Sequence, residues 1–190
     1  MKRSALDRLV SWMGLALAVV MLLAGGLLVF ASSFINAQVA DQLSAQKITM
    51  PTSDSYSSLS QADQDALAPF AGQPLTNGAQ AKAFADHYIQ AHMNAASGGK
   101  TYEEVSGEYT QMSKDTSADQ DELAKLGALR QTLFMGNTLR SMLLTAYAFG
   151  TMATVALIAA IVAFAGAVVL GVLAFLGLRH AKTAEGEVLA

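Results

Sequence analysis

"SMLLTAYAFGTMATVALIAAIVAFAGAVVLGVLAFLGL", residues 141–178, runs for 38 residues without an acid, a lysine, an arginine or a histidine. A helix that crosses a bilayer needs roughly 20 apolar residues. The stretch is therefore long enough to span, too long for one perpendicular crossing, and tight for a hairpin of two crossings with a turn. As one helix it covers about 57 Å at 1.5 Å per residue, against a hydrocarbon core of about 30 Å. If Arg179 marks one surface, about 20 residues reach back to roughly Ile158. The residues before it then form an apolar helix outside the bilayer, which protein must cover. Ile35, Val39 and Leu43, spaced four apart and running on from the end of the first apolar stretch, place one face of a second helix where it can do so. The expectation is two membrane helices continuing outward as a paired stalk.

That first stretch is "WMGLALAVVMLLAGGLLVFASSFI", residues 12–35, also free of ionisable groups. Its apolar run exceeds the roughly 7–15 residues of a signal-peptide core, which favours an uncleaved anchor. Together the two stretches explain why 53% of the 190 residues are hydrophobic and only 14% charged, against about 25% charged in a soluble domain. With no cysteine in the chain, the remainder must cohere by packing alone.

Lysine and arginine set the expected orientation. Lys2, Arg3 and Arg8 flank the first stretch, and Arg179 and Lys182 flank the second. Residues 36–140 hold seven lysines and arginines against twelve acids, a net of −5. Arg140 beside the second stretch runs slightly against this trend. The division expected is a cytoplasmic N-terminus (1–11), a first transmembrane helix (12–35), an extracytoplasmic helical domain (36–140), a second transmembrane helix with an outward extension (141–178) and a cytoplasmic C-terminus (179–190). The fold class is all-α, in the cytoplasmic membrane.

The middle reads as short helices between loops. Pro51 and the serines of "QKITMPTSDSYSSLSQ" mark an extended loop. Ser60 caps a short helix that Pro69 closes. Asn77, with Gln80 three residues on, opens a longer one, whose apolar stripe is Phe84, Tyr88, Ala91 and Ala95. Tyr102, Val105, Tyr109 and Met112 give the buried face of the next helix. Leu123, Leu126, Leu129 and Leu133 give that of a last one, which Ser117 or Asp119 caps and "MGN" at 135–137 ends.

"SGGKT", residues 97–101, resembles the end of a phosphate-binding loop. That reading needs a glycine at position 94, where Asn94 stands, and a strand before the loop, where a helix precedes it. The alternative accounts for every residue. Gly98 and Gly99 take the left-handed positions after a helix. Thr101 and Glu104 form a capping box that starts the next one. No nucleotide binding is expected, and Lys100 is a solvated charge.

No HExxH, GxSxG, GxGxxG or paired-cysteine motif occurs. His87 and His92 lie about 140° apart around one helix, so they do not readily share a metal; His92, one turn after Tyr88, reads as a structural histidine near the core. The twelve acids are scattered rather than arranged as a calcium loop. No catalytic, cofactor-binding or metal-ligating residue is expected, and no nucleic-acid partner. Small residues recur at spacing four in the second stretch, at Ala159, Ala163, Ala167 and Gly171, and let another helix approach closely. They pack either on the chain's own first helix, through Ala18, Gly25 and Ser32, or on a neighbour.

Four fragments, "DQLSAQKITM", "FAGQPLTNGAQAKAFADHYIQAHM", "SGGKTYEEVS" and "TLRSMLLTAYAFGTMA", together resemble a family of small actinobacterial membrane proteins with two spanning helices and an outward domain, whose function is not established. The resemblance runs over about residues 9–178. Its members often carry the label "aromatic ring-opening dioxygenase". Such a centre takes something like two histidines and a carboxylate on one metal, whereas the outward part offers only His87 and His92. The resemblance implies architecture and host group, and no activity. The functional expectation is a non-catalytic accessory or scaffolding subunit of a cell-envelope complex, in contact with lipid and with another membrane protein or a second copy of itself. The alternative is an extracytoplasmic ligand-binding or sensing module, with an enzyme third.

Overall fold

The computed structural model of the chain describes residues 3–183; Lys2 and the Arg3 side chain lie outside the described residues. The described residues form helices joined by turns and loops, and no strand. The helices are α1 (Arg3–Ala45), α2 (Ser53–Tyr56), α3 (Gln61–Leu67), α4 (Gly78–Ala83), α5 (Gln90–Ser97), α6 (Tyr102–Met112) and α7 (Gln120–Thr183). They divide into two compact units. One comprises α1 as far as Ile35 with α7 from Met152 onward, and the other is Asn36–Thr151.

In the first unit every seventh residue is buried. On α1 these are Ser4, Ser11, Ala18, Gly25 and Ser32, and on α7 they are Ala153, Ala160, Ala167, Ala174 and Ala181. Residues three further on are half-buried: Asp7, Gly14, Met21 and Leu28, and Ala156, Ala163, Leu170 and Gly177. This 3–4 alternation is a heptad seam, and a period of seven keeps it facing the opposing helix. The helices run antiparallel. A methyl added at Gly14 would touch Cβ of Ala174 at 3.6 Å, and one at Gly25 would reach the Phe164 ring at 2.8 Å. Methyls at Gly166 and Gly177 would run into Met21 and Ser11. Ser11 donates its own hydroxyl to the Asp7 carbonyl at 2.6 Å, so its polar group is satisfied inside the helix. The large side chains point away from the seam; Leu27, Phe30 and Phe175 are each about two-thirds exposed. Both helices are long and apolar enough to cross a membrane.

The second unit is built from turns that the sequence specifies locally. After α1, Lys47 takes a positive φ of 52°, and the chain pairs with residues 72–75. Met50 N–H donates to the Gln73 carbonyl at 2.8 Å and Leu75 N–H to that of Ile48 at 2.9 Å, which buries Met50 and Leu75. Ser60 caps α3, accepting from Asp63 N–H at 3.2 Å, and a 3₁₀ turn over Ala68–Phe70 follows it. Asn77 and Gln80 form a reciprocal capping box at the start of α4. Between α4 and α5 the helix loosens into a π-helical stretch, Phe84–Ile89. Met93, Val105 and Leu133 form the buried cluster joining α5, α6 and α7, flanked by Ile89, Tyr102, Leu126 and Leu129.

Two local expectations are corrected here. "MGN" does not end a helix: α7 runs unbroken through Gly136. A methyl at Gly136 would collide with the Met93 thioether, so that glycine makes room for a neighbour rather than a break. The buried residues of the 78–97 segment are Gly78, Gln80, Ala81, Ala83, Ala85, Met93 and Ser97, among them the row Ala81, Ala85, Met93 and Ser97 spaced by multiples of four, whereas of the expected stripe Phe84, Tyr88 and Ala91 are half-buried and Ala95 is exposed. In an α-helix a row spaced four apart drifts around the axis. The π stretch, with its i→i+5 bonds, has more residues per turn and returns this row to one side.

Candidate functional site

The polar centre of the second unit is the π-helical stretch. Lys82 and Asp86 stand four apart and join at 2.5 Å through Nζ and Oδ2. Arg140, from α7, reaches the same carboxylate at 3.0 Å through Nη2, and its Nε donates to the Ala85 carbonyl at 3.0 Å. That carbonyl also accepts the i→i+5 bond from Gln90 N–H, so Arg140 is its second donor, on the oxygen's remaining lone pair. Burial pushes the Asp86 pKa up, but hydrogen bonds from Lys82 and Arg140 outweigh it and hold the carboxyl below its ordinary value. The same contact raises Lys82, whose ammonium also lies 5.5 Å from the Tyr147 ring centroid.

His87, half-buried, donates from Nδ1 to Asp63 at 2.9 Å. Asp63 accepts from Ser60 at 2.6 Å as well, and the Ser60 and His87 hydrogen bonds lower its pKa. His92 is exposed, contrary to its expected place near the core. It donates to the Tyr88 carbonyl at 2.7 Å and its ring lies 4.4 Å from that of Tyr88. The two histidines thus have separate partners. No group of three or more histidines and carboxylates disposed to hold a metal occurs among the described residues. Both oxygens of Asp86 are engaged by cations, which suits a fastener between α7 and the π stretch better than a proton acceptor.

A groove of about 870 Å³ lies between α6 and the start of α7, lined by Lys100, Glu108, Met112, Asp119, Glu122 and Leu129 among others. Lys100 is exposed but paired, donating to both oxygens of Glu108 at 2.7 and 2.8 Å. Beside it, Gly98 and Gly99 hold φ of 63° and 84°. The Thr101 hydroxyl accepts from Glu104 N–H at 3.3 Å, and Thr101 N–H donates to the Glu104 carboxylate at 2.7 Å. The Thr101 N–H bond, and next the Thr101 hydroxyl donating to the same carboxylate at 2.8 Å, lower the Glu104 pKa.

The small residues of the first unit fall into two sets. Ala18, Gly25 and Ser32 of α1 lie seven apart and all are buried in the seam. The row spaced four apart on α7 is divided: Ala167 is buried, Ala163 and Gly171 are half-buried, and Ala159 is exposed. A methyl at Gly171 would meet nothing within 4 Å. Four residues overshoot one helical turn, so such a row slides around the helix, whereas seven nearly complete two turns. The seam residues that spacing four misses are Ala153, Ala160, Ala174 and Ala181, and a heptad count along α7 finds them. The Lys82–Asp86 pair was open to a similar reading at i,i+4; the arrival of Arg140, 54 residues later in sequence, had no local signal.

Comparison of the chain with protein-family models, with curated proteins and with solved structures finds no match.

Proposed function

We propose that the chain is an integral membrane protein of the actinobacterial two-span family its sequence resembles, acting by contact as an accessory or scaffolding subunit of a cell-envelope complex. Both ends are cytoplasmic and residues 36–140 lie outside. One observation carries the reading: the helix pair turns its small residues inward and its large apolar residues outward. Only 11% of the most apolar window of either helix is buried, whereas the core helix of a soluble protein is mostly covered by its own fold. Hydrocarbon or another membrane helix is the natural neighbour of such a surface. The charge bias across the two stretches supports the orientation. The groove between α6 and α7 supports a second reading, in which the outward part recognises a ligand.

Two experiments test this. Single cysteines at the exposed positions Ala5 and Thr183 should resist membrane-impermeant thiol reagents in intact cells, while one at Ser57 should react; labelling of either end overturns the topology. Gly171→Leu and Ala159→Leu alter the face of α7 outside the seam, so they should leave the hairpin folded and inserted yet reduce co-purification of the neighbour. A wild-type chain that leaves native membranes alone, at monomer mass in mild detergent, refutes the scaffolding reading.

A further inference from the structure

At the terminal end of the helix pair, Arg8 and Trp12 of α1 and Phe175, Leu178, Arg179 and Lys182 of α7 line a cleft of about 480 Å³. The order of chemistry along the two helices is the same although they run in opposite directions. On α1, Trp12 lies one turn from Arg8, toward the middle of the membrane stretch. On α7, Phe175 lies one turn from Arg179 and Leu178 one turn from Lys182, again toward the middle. The cleft therefore has an apolar floor and a cationic rim. Trp12 and Phe175 are well over half exposed, so the floor continues into the outward apolar surface of the pair. Asp7, one residue before Arg8, meets His180 of α7, Nδ1 to carboxylate at 3.1 Å, and is not among the residues that line the cleft.

We propose that this cleft binds an anionic phospholipid, its headgroup phosphate held by Arg8, Arg179 and Lys182 and its acyl chains laid on Trp12, Phe175 and Leu178. The proposal rests on the reading of the first unit as membrane-embedded. Guanidinium forks match phosphate oxygens in pairs. A basic rim at the cytoplasmic face draws anionic lipid, and tryptophan settles at the level of the headgroups. The apolar floor is what separates this ligand from a free phosphate: three cations alone hold an anion, but a lipid also covers two exposed aromatic rings. A soluble acidic peptide fits less well, because the floor opens toward the region that hydrocarbon would occupy.

Trp12 is the only tryptophan in the chain, so its fluorescence reports this cleft alone. The full-length protein is reconstituted in phosphatidylcholine vesicles containing a minor fraction of phosphatidylglycerol, with bromine on the acyl chains of one lipid or the other. Brominated phosphatidylglycerol should quench Trp12 several-fold more efficiently than brominated phosphatidylcholine at equal mole fraction. Replacing Arg8, Arg179 and Lys182 together by glutamine should remove that several-fold preference. The same exchange at Lys100, Lys114 and Lys125 should leave it intact, and inorganic phosphate should not compete. Equal quenching by both lipids in the wild type overturns the site while leaving the membrane reading standing. Quenching by neither overturns the membrane reading itself. A preference that survives the cleft variant, vanishes in the control variant, or yields to inorganic phosphate also overturns the site.

Discussion

Replacing Gly78 with alanine tests how closely the second unit is packed around the start of α4. The new methyl would stand 3.0 Å from Cα of Tyr147 and 3.2 Å from the Ala146 carbonyl oxygen. Both are backbone atoms of α7, so no side chain can rotate away and one helix must shift. Overpacking of this kind costs about 1–3 kcal/mol. Gly107 supplies the opposite case. It lies inside α6, a methyl there meets nothing within 4 Å, and removing a helical glycine stabilises by about 0.5–1 kcal/mol. A change of 1 kcal/mol shifts the midpoint of a chain this size by about 2–4 °C. Thermal unfolding of the full-length protein in detergent, followed by circular dichroism, should show Gly78→Ala lower by about 2–12 °C and Gly107→Ala higher by about 1–4 °C. Midpoints displaced in the same direction, or a Gly78→Ala protein as stable as the wild type, would refute the close approach of α4 to α7.

Arg140→Met removes donors to both Asp86 and the Ala85 carbonyl and should lower stability by about 1–3 kcal/mol; combined with Asp86→Asn the losses should fall short of additivity by about 0.5 kcal/mol or more, and strict additivity would deny the link. Asp86 and Asp63 are depressed below their ordinary value of 3.8, so their contribution is present above about pH 4 and is lost as pH falls through the folded values. Asp86→Asn should flatten that acid limb in a pH series of unfolding midpoints, and an unchanged limb would count against it. Thr101→Ala should cost about 0.5–2 kcal/mol through loss of the cap, whereas Lys100→Ala, which breaks only an exposed pair, should stay within about 0.5 kcal/mol of wild type; a large effect at Lys100, or measurable ATP binding, would revive a phosphate role for "SGGKT".

What could be read in advance was whatever depends on neighbours in sequence. Two long uncharged stretches, the caps at Ser60, Asn77 and Thr101, and the left-handed pair Gly98–Gly99 are local features, governed by hydrophobic run length, side chain-to-backbone hydrogen bonds and the absence of Cβ. What could not be read depends on distant contact. Gly136 looks like a break until Met93 is seen against it, and the 78–97 face is misassigned until the π stretch changes the helical period. The Asp86–Arg140 link needs two segments far apart in the chain. The seam itself was legible but obscured by alanine, which recurs so often on α7 that rows spaced four and seven can both be drawn.

A seam with alanine at every seventh position of α7 has little sense of its own register. Sliding α7 by one heptad, about 10.5 Å, would set alanine where alanine stood before. Alignment therefore depends on the few places that differ. The Phe164 ring fits against Gly25, and Met21 fits against Gly166; after a one-heptad slip Phe164 would face Ala18 or Ser32, where a Cβ stands in the way. Asp7 and His180 would part as well. The pair thus resembles a rack of identical teeth held by a few odd ones, and the odd ones, not the repeated alanines, decide which ends of the two helices stand side by side.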